Sequence, residues 1–93
     1  MPRFTVRVQL HDADTWAHYE KLYELMAQQG FTDTLVTEQG RVKMPPAEYN
    51  YEGAATRAEV LAKAQAAAGR VVTSYAVLVT ESAGRTWSGL DKA

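Results

Sequence analysis

Between Arg3 and Leu10 the chain alternates without a break. Phe4, Val6, Val8 and Leu10 fall on one face of an extended segment, and Arg3, Thr5, Arg7 and Gln9 fall on the other. A period of two with β-branched residues is the pattern of a half-buried strand. The rest of the chain must therefore supply a layer that covers the apolar face.

Two later segments can do so. His11-Asp12-Ala13-Asp14 interrupts the alternation, and Asp12 or Asp14 can cap the helix that follows by accepting a backbone N–H of its first turn. That helix is expected to run to about Gln29 and stop at Gly30, with Trp16, Tyr19, Tyr23 and Met26 as an apolar stripe widened by Leu22 and Leu25. Thr56-Arg57-Ala58-Glu59 has the spacing of a capping box, and the helix behind it is rich in alanine up to Gly69. Its small side chains permit close approach to a sheet.

Strand signals fill the intervals. Phe31 to Thr37 carries β-formers, and Glu38-Gln39-Gly40 reads as a hairpin turn with glycine at a positive φ. A third strand is expected from about Arg41 to Tyr51, interrupted by Pro45-Pro46, which mark a bulge or a sheet edge because proline donates nothing to a ladder. Val71 to Glu81 is the most strand-like run, and Arg85-Thr86-Trp87 offers a short fifth strand. The order is βαββαβ. The expected fold is α+β and ferredoxin-like: one domain over residues 1–93, a four-stranded antiparallel sheet, and both helices on one face through right-handed crossovers. The other sheet face, with Thr5, Arg7 and Gln9 opposite Ser74, Ala76, Leu78 and Thr80, has no cover within that scheme.

Composition narrows the chemistry. Ninety-three residues, 46% hydrophobic and 23% charged, suit one modest core. The absence of cysteine excludes disulfides, Cys-type zinc sites and thiol catalysis. A net charge of −1 disfavours a strongly basic nucleic-acid clamp but permits a local patch. No apolar stretch is long enough to span a bilayer, and Met1-Pro2-Arg3-Phe4-Thr5 lacks an apolar signal core, so a soluble cytoplasmic chain without membrane contact is expected.

The densest polar cluster is His11-Asp12-Ala13-Asp14. It can be read as a Mg²⁺ site, since one or two carboxylates suffice for a cation that keeps several waters. In a two-fold dimer each Asp would meet its symmetry mate. Helix capping with a favourable dipole explains one acid without any ligand and is the stronger reading, although two acids exceed what one cap needs. His11 has the chemistry of a general base, against the plainer reading of an exposed loop histidine. Arg7, Arg41, Lys43 and Arg85 are the strand and turn cations that can hold phosphates, against an ordinary solvated surface. Tyr49 and Tyr51 can stack bases only if the strand register turns them to the open face, and core is the better reading for at least one. Trp16 reads as core. Trp87 reads as a rim aromatic or an interface anchor.

Arg3-Phe4-Thr5-Val6-Arg7-Val8 leading to Asp12, the Leu25-Met26 helix end, Pro45-Pro46-Ala47-Glu48-Tyr49 and Tyr75-Ala76-Val77-Leu78-Val79 together resemble the GhoS-like family. These are antitoxin endoribonucleases of type V toxin–antitoxin systems, with a ferredoxin fold shared by CRISPR-associated ribonucleases. The resemblance spans nearly the whole chain by element order and length. It implies a metal-assisted RNA phosphodiesterase that silences a toxin mRNA, with Asp12 or Asp14 at a metal held between two protomers.

Two functions follow. One is a homodimeric endoribonuclease with Asp12, Asp14 and His11 as catalytic residues, Mg²⁺ at Asp12, and Arg7, Arg41, Lys43 and Arg85 on RNA. The other is a non-catalytic dimeric interaction module that uses its open sheet face or sheet edge. A small-molecule enzyme of the dimeric barrel type ranks last, because both histidines fall outside the expected core.

Overall fold

Phe4, Val6, Val8 and Leu10 are buried and none of the residues between them is, so the alternation is the pleat of a half-covered strand, β1 (Arg3–Leu10). The structure, a computed structural model, describes residues 2–11, 16–38 and 40–93. After β1 come α1 (Trp16–Gln28), β2 (Thr34–Thr37), β3 (Gly40–Lys43), β4 (Glu48–Glu52), α2 (Arg57–Ala68) and β5 (Tyr75–Glu81).

β1 is the centre of a three-stranded antiparallel sheet ordered β4-β1-β5. The register sets Val6 between Tyr49 and Val79, and Phe4 beside Tyr51, so the apolar side chains share one face. Leu22, Leu25 and Met26 of α1 and Val60, Ala64, Ala67 and Ala68 of α2 complete the same core. The fold is thus mixed α+β, with two helices against one face of an antiparallel sheet.

Local chemistry explains the helix ends. α1 closes with Gly30 at φ 93°, where Phe31 N–H donates to Met26 O and Gly30 N–H to Ala27 O, the bond pair of a Schellman motif. α2 opens with the expected box. Glu59 N–H donates to Thr56 Oγ1 at 3.1 Å, and Thr56 N–H donates to Glu59 Oε1 at 2.9 Å.

The sheet departs from the expected four-stranded form. The third strand read from about Arg41 to Tyr51 is two strands in two sheets. β3 pairs with β2 as a separate hairpin, and β4 pairs with β1. Pro45 and Pro46 are the cause, because neither has an N–H to offer a ladder. Glu48 N–H instead donates to Pro45 O at 3.2 Å, with Ala47 at φ 65°, the pattern of a type II turn. Just ahead of the hairpin the chain bridges to β4: Thr32 N–H donates to Asn50 O, and Asn50 N–H to Thr32 O.

Two further expectations are corrected. Arg85-Thr86-Trp87 forms no fifth strand. That segment turns back over the open face, and only its far end pairs, through a bridge from Lys92 to Val42. Trp16 is not core: it is 64% exposed, because the buried stripe of α1 runs through Leu22, Leu25 and Met26. Tyr49 and Tyr51 both face the core, in line with the core reading for at least one of them, which leaves no aromatic from β4 on the open face. Among the described residues no helix is long and apolar enough to cross a membrane.

Candidate nucleic-acid interface

The polar face of β1 carries Arg7 and Gln9 opposite Leu78 and Ala76, and the ladder continues one step beyond the strand. His11 N–H donates to Ser74 O at 3.0 Å, and His11 Nδ1 lies 2.9 Å from Ser74 Oγ. The backbone bond fixes where the ring starts, and the hydroxyl fixes how it turns. In the tautomer whose Nδ1–H donates to Ser74 Oγ, Nε2 is left as the ring's hydrogen-bond acceptor. Four extended steps take the chain from Arg7 to His11, about 13 Å. Arg7 is largely exposed and sits 3.8 Å from Glu48, a loose surface ion pair that leaves most of its donors to solvent.

Asp12 and Asp14 lie outside the described residues, and with them the Mg²⁺ site assigned to Asp12. Among the described residues no group of three or more His, Cys, Asp or Glu side chains is placed to hold a metal ion.

The expected phosphate contacts do not form one patch. Arg41 is on the hairpin, where Nη1 donates to Thr34 Oγ1 at 2.8 Å, and it lines a cleft with Asn50 and Glu52. Lys43 shares its strand face and is exposed, while its backbone N–H donates to Asp91 O at 2.8 Å. Arg85 is a structural clamp. Its Nε donates to Thr5 Oγ1 at 3.0 Å, and its Nη2 donates to Phe4 O at 2.9 Å and to Asn50 Oδ1 at 2.8 Å. Burial, and then the nearby charge of Arg3, hold its pKa below the ordinary arginine value, with Glu52 opposing. Arginine remains charged under such a shift, so the clamp keeps its cation at working pH.

Sequence reasoning passed over Arg3 and Asn50. Arg3 sits on the same β1 face as Arg7, which the alternation does show, and lies 4.0 Å from Glu52. Asn50 carried no signal, since its role depends on a guanidinium arriving from the other end of the chain. It is buried, accepts from Arg85, and offers Nδ2–H to Glu52 Oε2 at 3.4 Å. Arg3, Glu52, Asn50 and Arg85 thus form one polar chain at the β4 side of the sheet. The cleft beside it, of about 500 Å³, is lined by Arg3, Arg85, Trp87, Leu35, Val36 and the hairpin turn. Compared with known proteins, the chain matches no family model, no curated protein and no solved structure.

Proposed function

We propose that the chain is a small endoribonuclease of the antitoxin type, acting on RNA laid along the open face of the sheet. One observation carries the reading: His11, held by Ser74 at the end of β1, follows Arg7 and Gln9 on the same exposed face. Arg7 would take a phosphate by a charge-assisted bond. Neutral His11 would accept the proton of the 2′-OH through Nε2 as that oxygen attacks the adjacent phosphorus. The P–O5′ bond breaks, the 5′-oxygen takes a proton from water, and the products are a 2′,3′-cyclic phosphate and a 5′-hydroxyl end. Ser74 acts as a positioning residue, by fixing the imidazole. The resemblance assigns a metal to Asp12 or Asp14; in this reading Asp12, next in the chain after His11, would hold Mg²⁺ with Asp14 assisting, and a metal bound there would neutralise charge on the scissile phosphate. The biological substrate implied by the resemblance is a toxin mRNA.

The test is cleavage of an end-labelled RNA, with Mg²⁺ and with EDTA, by the native chain and by His11→Ala, Asp12→Ala and Arg7→Ala. The expected result is fragments from the native chain, a loss of a hundredfold or more in His11→Ala, as for a lost general base, and an unchanged melting midpoint. Equal cleavage by His11→Ala removes the assigned base. Activity retained in a destabilised Asp12→Ala marks that residue as a helix cap.

A second reading has its own observation. β5 is an edge strand of the sheet and carries Leu78, 64% exposed, at its middle. That is the geometry of an interaction module that pairs by strand addition, with a second copy as the expected partner. Intact RNA together with a concentration-dependent dimer in sedimentation would favour it over the enzyme.

A further inference from the structure

The cleft of about 500 Å³ between the hairpin and the segment after β5 is independent of the strand end that carries His11. Its volume falls within the range of small-molecule sites. Its lining includes two apolar groups that a monomeric chain gains nothing by exposing: Val36 on the hairpin, 74% exposed, and the ring of Trp87 on the segment after β5, 44% exposed. The lining also has two guanidinium groups, Arg3 on β1 and Arg85 beside Trp87 on the segment after β5. Three bonds already orient Arg85, all through Nε and Nη2, and among the described residues Nη1 takes no protein acceptor. The one acid facing Arg3 from β4 is Glu52, at 4.0 Å, the outer limit of an ion pair. Glu38, at the hairpin turn, is the acid on the rim.

Two cations held side by side beside an exposed indole are complementary to one anionic group attached to a flat ring. Phosphates are held by planar forks, and bases of any identity stack on aromatic faces. We infer that this cleft binds one nucleotide of single-stranded RNA, its base against Trp87 and its phosphate at Arg3 and Arg85. This rests on the RNA reading above and adds to it a subsite away from His11. A strand held at both places is positioned by the cleft and cut at the sheet end.

The experiment uses the chain carrying Trp16→Phe, so that Trp87 is the sole tryptophan. Its fluorescence is followed during titration with a single-stranded hexacytidylate RNA, and anisotropy of the fluorescein-labelled RNA is read in parallel. The inference expects saturable quenching of Trp87. It expects affinity about tenfold weaker in Trp87→Ala, as for one lost base stack, retained in Trp87→Phe, and weaker again in Arg3→Glu, with circular dichroism unchanged in each. If the native chain binds or cleaves the RNA and Trp87→Ala does so equally well, the subsite is wrong and the RNA reading stands. If the native chain neither binds nor cleaves it, both fall. Equal quenching by hexaglutamate makes the cleft a general anion site for acidic peptides and overturns the nucleotide assignment.

Discussion

Tyr49 keeps its hydroxyl inside the core, packed against Tyr23 and Phe31, and among the described residues that oxygen meets no hydrogen-bond partner. Burial first, then the neighbouring Tyr23 and Asp33, raise its pKa well above the ordinary tyrosine value. A proton held more tightly in the folded chain than in the unfolded one gives stability that is intact below about pH 10 and lost as pH climbs beyond it. Tyr49→Phe should therefore raise stability by about 1 kcal/mol at neutral pH, since it deletes an unpaired buried hydroxyl. It should also flatten the fall in urea midpoint above pH 10. A loss of similar size on urea denaturation would show that the hydroxyl is paired. The ring's place in the core was half legible: alternation predicts that Tyr49 and Tyr51 share a face, but only the register against β1 says which one. Arg85 was legible as a cation and illegible as a clamp. Thr5, Phe4 and Asn50 lie far from it in sequence, and no local pattern announces a contact across most of the chain.

Elements whose signals are local came through best. The alternation of β1, the glycine after α1 and the Thr56–Glu59 box each decide a conformation within a few residues, and each is present as read. The Arg41–Tyr51 strand failed because its fate turns on pairing. Once Pro45 and Pro46 remove two donors, the halves on either side are free to find different partners, and β3 joins β2 while β4 joins β1. Trp16 fits the helical period but sits on the flank of the stripe that meets the sheet, a position that depends on how α1 is docked. The proline turn yields a prediction of its own. Ala47 holds a φ of 65°, a region where a side chain costs about 1 kcal/mol. Ala47→Gly should leave stability within about 0.5 kcal/mol of native, since relieved strain offsets added freedom in the unfolded chain. Ala47→Val should cost about 2 kcal/mol, because a β-branched residue tolerates that region least. Thermal denaturation of the pair checks both; a harmless valine would mean that the turn is not held as described.

At the scale of the molecule, a net charge of −1 means that attraction for RNA must come from a few placed cations rather than a general field. With Arg3, Arg7 and Arg85 as the phosphate contacts, log affinity for single-stranded RNA should fall against log salt with a slope of about −2. A slope near zero would leave those arginines no role in binding, and one beyond about −4 would require cations elsewhere, Arg41 and Lys43 first. The proposed site was legible in pieces, as Arg7 on β1 with His11 just beyond it and Trp87 as an odd exposed aromatic. Their grouping was not, because it is made by β5 and the segment after it returning to β1. That return also shapes how the chain reaches its folded state. β1 is made before β4 and β5, yet it lies between them, and its ladder to β5 joins residues separated by more than two thirds of the chain. Closing so long a loop delays the reward for each contact, so folding is slow for a chain of this size. During synthesis the edge of β1 that β5 takes stays bare until the last strand emerges, and over that interval it is open to any other extended segment nearby.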